Sequence, residues 1–254
     1  MNIFIDSRIN DDQWRAELYR GSLFTHSPTS GAQKLCQLAQ EMVKEAFRPF
    51  DPLKIQESLP AEKCAEILAV LKPKFIHHAE SKKYIQQMLS EAGCDLSRTY
   101  FDVPRMRTAF PGNYLKSGIA YAFHPHRDTW YSAPFCQINW WMPIYDTRVQ
   151  PRPEEPVELD PQVRVVCDVA AAYQFSAAQL HSTVPNTSNV TRYSVDFRTV
   201  HLDDVLSRNG APNVDSACTG TTMGDYLRGT DCSHLPKEAM AVYFDGTEIQ
   251  YGKS

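Results

Sequence analysis

The spacing of apolar residues divides the chain near residue 95. From Gln33 to Phe47, apolar side chains recur every three or four positions, which predicts an amphipathic helix. Similar spacing predicts helices over Ala61–Leu71 and Ser81–Ala92, the last ending at Gly93. We therefore expect residues 1–95 to form a mainly helical part that supports the rest of the protein.

After residue 95 the chain changes to short runs of Tyr, Phe, Val and Trp between Pro and Gly, which is typical of β-strands. Such runs predict strands at Tyr100–Val103, Ile119–Phe123, Phe135–Ile144, Val163–Val169, Ala172–Phe175 and Thr191–Val200. Residues 146–162 contain four prolines and clustered acids, which predict a long, lid-like surface loop. Residues 201–254 predict helices and turns.

Helices followed by many short strands predict a mainly β protein with flanking helices, in which a β-sandwich or jelly roll forms the core. Helices do not alternate with the strands, and this disfavours a doubly wound parallel sheet. We predict a single domain over residues 1–254, with its helical part at 1–95, its jelly-roll core at 96–200 and its C-terminal helices and turns at 201–254.

Composition narrows the classes of protein that fit. With 43% hydrophobic and 22% charged residues the chain is expected to fold, and a net charge of -4 provides no broad basic surface for nucleic acid. No leader-like N-terminus or membrane-length apolar stretch is present, so we expect a cytoplasmic protein with no membrane partner. Seven scattered cysteines without a C-x-x-C pair fit a reducing compartment and disfavour a disulfide framework.

The segment YAFHPHRDTWY contains the most informative residues. His124, His126 and Asp128 alternate on an extended chain, so their side chains face one side. An H-x-D pair completed by a distant histidine forms the 2-His-1-carboxylate triad, which binds iron(II) and leaves coordination positions open. His181 is the best candidate for the third ligand, because it follows a strand-like run and precedes a Pro-Asn turn.

Other polar residues near this motif are candidates for binding small molecules. Arg192 and Ser194 share one strand face and offer a guanidinium and a hydroxyl to a carboxylate such as that of 2-oxoglutarate, with Arg198 on the same face as the alternative. Gln137 and Asn139 either contact 2-oxoglutarate or are hydrogen-bonded within an aromatic core. The predicted substrate-binding residues are Arg105, Arg107, Trp130, Tyr131 and Trp141.

Taken in their order along the chain, these candidate residues resemble the motifs of the 2-oxoglutarate-dependent oxygenases, and within them those of the phytanoyl-CoA hydroxylase-like branch. The match comprises the H-x-D, a distal histidine, a hydroxyl residue two positions later (Thr183), the Pro185-Asn186 turn and an arginine at the interval of Arg192. The resemblance covers roughly Tyr100 to Val200 and implies a double-stranded β-helix, a cupin-like jelly roll. It also implies iron(II) bound by His126, Asp128 and His181, with 2-oxoglutarate and O2 as co-substrates.

The function implied by this resemblance is hydroxylation of an unactivated C–H of a small polar metabolite, with release of succinate and CO2. A sugar acid, amino acid, nucleotide or natural-product precursor would fit, and Asp128 favours hydroxylation because related halogenases have Gly or Ala there. Two alternatives stay open. One is a hydrolase with a binuclear zinc site at His124, His126 and Asp128, and the other is a non-catalytic jelly-roll binding protein.

Overall fold

A computed structural model describes residues 1–112, 125–131, 133–146, 168–183, 186–213, 215 and 223–243. Several sequence predictions lie outside these residues. They are the strand at Ile119–Phe123, most of the strand at Val163–Val169, all but the first residue of the lid-like loop at 146–162, His124 and Pro185.

The α-helices of the described residues are α1 (Asp11–Tyr19), α2 (Ser30–Phe47), α3 (Ile55–Ser58), α4 (Ala61–Ile76), α5 (Ala79–Glu91), α6 (Leu202–Ser207) and α7 (Lys237–Ala241). The three helices predicted before residue 95 are confirmed. The helix predicted to end at Leu71 continues to Ile76 because Leu71 and Phe75 extend the buried spacing. Within the described residues, no helix is both long and apolar enough to cross a membrane.

In the described residues, the strands are β1 (Ile3–Ile5), β2 (Leu23–His26), β3 (Thr99–Phe101), β4 (Arg105–Ala109), β5 (Ile138–Pro143), β6 (Ala172–Ser176), β7 (Arg192–His201) and β8 (Leu227–Arg228). They form one sheet in the order β1-β2-β6-β5-β7-β3-β8, and β4 also pairs with β7. Only β1 and β2 pair in parallel among these strands. A mixed sheet with flanking helices is confirmed, and the double-stranded β-helix stays a prediction.

The part before residue 95, predicted as mainly helical, also contains two short strands. The short strands β1 and β2 lie in this part and extend the sheet, with Phe24 opposite Gln174 of β6. Strand β8 likewise lies in the part predicted as helices and turns. Strands of two to four residues are too short to show alternation, and they form here because distant residues supply their hydrogen-bonding partners.

The two faces of β5 and β7 differ in chemistry. On one face Trp140 packs against Trp14 of α1 and Phe197 of β7, with ring centroids 5.5 Å and 5.4 Å apart. The other face is polar, because Asn139 lies opposite Arg198 and the next pair on that side is Trp141 opposite Asp196. The apolar face therefore packs against the helical part of the protein, and the polar face is left for a functional site.

Helices α2 and α5 are in close contact at Gly31. A Cβ atom built there would lie 2.6 Å from the backbone nitrogen of Met88 and 2.8 Å from the carbonyl oxygen of Tyr84. We expect Gly31→Ala to lower the free energy of unfolding by about 1–3 kcal/mol, because backbone atoms must move apart. Urea unfolding measures the change. The control Ser30→Ala, at an exposed position, is expected to stay within about 0.5 kcal/mol, and an equally small effect at Gly31 would contradict this packing.

Candidate metal centre

Two segments that are distant in sequence meet at His126 and His181. The backbone N–H of each residue donates to the carbonyl oxygen of the other, at 2.9 Å in both directions. Two residues after His126, Asp128 begins a short 3-10 helix, and its backbone N–H donates to the carbonyl of Ala177 at 2.9 Å. These bonds hold the H-x-D segment against the residues that follow β6.

The side chains of His126, Asp128 and His181 converge on one point. Asp128 Oδ1 lies 3.6 Å from Nε2 of His126 and 3.9 Å from Nε2 of His181. One ligand atom from each residue lies within 4.8 Å of the others. In the described part of the chain, no other group of three His, Cys, Asp or Glu side chains is spaced for a metal ion.

The ionisation of these residues suits a cation. Burial raises the pKa of Asp128, but the hydrogen bond with His126 and the positive charge of Arg198 outweigh it, so this pKa lies well below its ordinary value. Burial lowers the pKa of His181, and the nearby Asp128 offsets only part of that effect. Near neutral pH the site therefore presents a carboxylate and the neutral imidazole of His181, which are the forms that bind metals.

The tautomer of His181 follows from its hydrogen bond. Its Nδ1 lies 2.9 Å from the carbonyl oxygen of Gln179, which can only accept. The proton is therefore on Nδ1, and the lone pair of Nε2 points toward Asp128. A backbone carbonyl that orients a histidine in this way is common at metal sites.

Gln137 and Asn139 are hydrogen-bonded to Asp128. Asn139 Nδ2 donates to Asp128 Oδ2 at 2.5 Å. Gln137 Nε2 donates to Asn139 Oδ1 at 2.9 Å and lies 3.4 Å from Asp128 Oδ2. The partners that two buried amides require are therefore present, and contact of these amides with 2-oxoglutarate stays a prediction.

Arginines and acids alternate on the polar face of the sheet. Asp102, only 2% exposed, accepts from Arg198 Nη1 at 3.1 Å and also from Arg105. Arg107 binds both carboxylate oxygens of Asp196, at 2.6 Å and 3.1 Å. Arg105 and Arg107 therefore lie on this face, where they pair in register with Asp196 and Ser194, and each forms an ion pair there.

Arg192 and Ser194 lie on the same face of β7 as Arg198. Arg192 pairs with Ala109 of β4, and a rise of about 3.3 Å per residue puts its Cα about 20 Å along the strand from that of Arg198. Thr183 is partly exposed, two residues after His181. No described contact assigns any of these three side chains to a ligand, so their 2-oxoglutarate-binding role stays a prediction.

Exposed aromatic side chains border the metal centre. The Tyr131 ring lies against the ring of His126, with centroids 5.8 Å apart, and Trp130 Nε1 donates to Asp215 at 2.8 Å. Trp130 is 43% and Tyr131 60% exposed, which leaves both open to a substrate. Trp141 is partly buried and faces the polar side of the sheet.

Two residues of this region were missed by the sequence analysis. Asp102 holds Arg198, and Tyr226 donates from its hydroxyl to Gln137 Oε1 at 2.8 Å. Asp102 lies within the predicted strand Tyr100–Val103, so an acid among its apolar residues was a signal that could have been used. Tyr226 carries no such signal, because its neighbours in sequence show no periodic pattern.

Comparisons with known proteins give distant likenesses. No family model and no curated protein matches the sequence. Similar solved structures include a non-heme monooxygenase, the ThoJ-Ni complex, with 11% identity, TM-score 0.42 and coverage of 70% of this chain and 73% of that one. CytC3 with Fe(II) and alpha-ketoglutarate has 9% identity, TM-score 0.42 and coverage of 77% and 79%.

A third similar structure is the non-heme alpha ketoglutarate dependent epimerase SnoN from nogalamycin biosynthesis, with 12% identity, TM-score 0.41 and coverage of 75% of this chain and 83% of that one. A TM-score below 0.5 does not establish a shared fold. The function proposed below therefore depends on this chain's own residues.

Proposed function

We propose that this protein is an iron(II)- and 2-oxoglutarate-dependent oxygenase of the phytanoyl-CoA hydroxylase-like branch, built on a double-stranded β-helix, that hydroxylates a C–H of a small polar metabolite. The observation that carries the proposal is the convergence of His126, Asp128 and His181 within 4.8 Å. Two imidazoles and one carboxylate are the donor set of non-haem iron(II) oxygenases, and they leave positions open for a chelating co-substrate and O2.

The bound iron would supply the redox chemistry that couples decarboxylation of 2-oxoglutarate to oxidation of the substrate. The chain's own residues hold the metal and orient both molecules. Asp128 and the lone pair of His181 Nε2 supply charge and donor atoms, while the Gln179 carbonyl keeps the histidine in the competent tautomer. Turnover would release succinate and CO2.

For the distal carboxylate of 2-oxoglutarate we propose Arg192, with Ser194 and Thr183 as further contacts. The support for Arg192 is its interval after His181, as in the resemblance, whereas its Cα lies about 20 Å along β7 from that of Arg198, the residue opposite Asn139. Arg198 is the alternative, but its guanidinium is already bound to the buried Asp102. A bidentate guanidinium fork is the group best suited to a carboxylate.

The substrate proposal follows from the chemistry around the metal. Arg105 and Arg107 place cationic groups on the polar face, and Arg107 is exposed beyond its pair with Asp196. Trp130 and Tyr131 add exposed aromatic surface beside the metal centre. A polar metabolite with anionic or hydroxyl groups fits this combination.

The test is an anaerobic titration of the iron(II)-loaded protein with 2-oxoglutarate, followed by the visible charge-transfer band of the chelate. The wild-type protein is expected to show the band, and Arg192→Ala is expected to raise the Kd for 2-oxoglutarate about 10- to 100-fold because a charge-assisted pair is lost. The matched variants Arg192→Lys and Arg198→Lys retain the charge and remove the fork at one position each.

The results of this titration distinguish the two arginines and the three candidate functions. A higher Kd for 2-oxoglutarate only in the Arg198 variant would assign the distal carboxylate to Arg198 and leave the proposed enzyme class unchanged. An iron-loaded protein without the band would overturn the proposal. Two zinc ions per chain would then favour the hydrolase, and binding of a ligand without succinate release would favour the non-catalytic binding protein.

A further inference from the structure

A chain of buried hydrogen bonds leads from the C-terminal part of the protein to Asp128. Tyr226, 1% exposed, donates to Gln137 Oε1 at 2.8 Å; Gln137 donates to Asn139; and Asn139 donates to Asp128 Oδ2. We propose that Tyr226 is a positioning residue for the metal-binding carboxylate and acts through Gln137 and Asn139. This inference rests on the proposed metal centre.

The direction of each hydrogen bond is determined by the carboxylate at one end. Asp128 as an anion only accepts, so the nitrogen of Asn139 must face it and the oxygen of Asn139 faces Gln137. The nitrogen of Gln137 must then face Asn139, which turns its oxygen toward Tyr226. Burial raises the pKa of Tyr226 well above its ordinary value, so the hydroxyl keeps the proton that it donates.

The consequence concerns which carboxylate oxygen binds the metal. Oδ2 receives the amide of Asn139 and lies near that of Gln137, whereas Oδ1 faces Nε2 of both histidines. With Oδ2 occupied by amide donors, Oδ1 is the oxygen of Asp128 that would bind an ion. One oxygen from Asp128 and two histidine nitrogens would leave coordination positions free for a bidentate co-substrate and O2.

Without its hydroxyl partner, Gln137 loses the contact that turns its nitrogen toward Asn139 and Asp128. The amide of Gln137 or that of Asn139 can then rotate and present its oxygen to the Asp128 carboxylate. The two oxygens repel each other, so the carboxylate is no longer held in place. Partners of this kind around metal ligands change metal affinity about 10- to 100-fold when removed. Because Tyr226 acts through two amides, we expect a smaller loss, about three- to tenfold.

The experiment compares Tyr226→Phe with wild type in anaerobic iron(II) titration and in the spectrum of the 2-oxoglutarate chelate. We expect iron(II) affinity to fall about three- to tenfold and the charge-transfer band to shift, because the carboxylate can turn. Tyr193→Phe is the matched control. It removes another buried hydroxyl, which donates to the Pro52 carbonyl at 3.0 Å, from the apolar side of the sheet.

Tyr193→Phe is expected to lose stability while its iron affinity and band stay unchanged. Gln137→Met keeps a side chain of similar length and removes the amide. We expect it to show the same loss of iron(II) affinity as Tyr226→Phe. It also tests the inference if Tyr226→Phe does not fold. Unchanged affinity and spectrum in a folded Tyr226→Phe or Gln137→Met would overturn the inference. Failure of the wild-type protein to bind iron(II) would instead overturn the metal centre itself.

Discussion

Replacing His181 with alanine is expected to weaken iron(II) binding by more than about 100-fold, and to abolish both the 2-oxoglutarate chelate band and succinate release. Its Nε2 is one of three donor atoms within 4.8 Å, and direct ligands exceed the 10- to 100-fold effect of outer partners. Alanine retains the backbone N–H and carbonyl that bond to His126, so the local chain path should survive. Anaerobic iron(II) titration measures the change.

His77→Ala is the control for this substitution. His77 is exposed at the end of α4, outside the metal centre, and its loss is expected to leave iron affinity unchanged. Equal iron affinity of His181→Ala and wild-type protein would mean that iron binds elsewhere. Equal losses in the two variants would indicate non-specific binding by surface histidines.

Replacing Arg15 with alanine is expected to lower the free energy of unfolding by about 3–5 kcal/mol. The Arg15 side chain, 7% exposed, donates from Nε to Asp204 Oδ2 at 2.6 Å and also pairs with Asp11. Tyr19 donates to the same Asp204 oxygen at 2.8 Å, so the cluster joins α1 to α6. Removing the cation leaves the buried Asp204 and the partly buried Asp11 without their counter-charge, and chemical denaturation measures the lost free energy of unfolding.

Arg20→Ala is the control, because Arg20 lies directly after α1 and pairs with Glu17 at 2.8 Å but is 72% exposed. Exposed pairs contribute about 0–1 kcal/mol, so this variant should unfold almost as wild type does. The loss of unfolding free energy in Arg15→Lys should lie between those of Arg15→Ala and Arg20→Ala, because lysine keeps the positive charge but lacks the several N–H donors of the guanidinium. A loss below about 1 kcal/mol for Arg15→Ala would contradict a buried ion cluster at this position.

The sequence by itself determined the elements with long periodic patterns. Helix α2 and strand β7 lie where their spacing predicted, and the alternation of β7 placed Arg192, Ser194, Asp196 and Arg198 on one face. These predictions succeed because helical and strand periodicity depends on residues close together along the chain. The H-x-D motif is local in the same way, since two positions of one segment are enough to place His126 near Asp128.

Only the tertiary structure decided the contacts between distant segments. It paired β1 with β2 and β2 with β6, joined His181 to His126 through a backbone bridge, and brought Tyr226 within hydrogen-bonding distance of Gln137. It also paired Arg198 with Asp102, a contact that neither residue's own neighbours indicate. Such contacts depend on the packing of the whole sheet, so the spacing of residues along one segment carries no information about them.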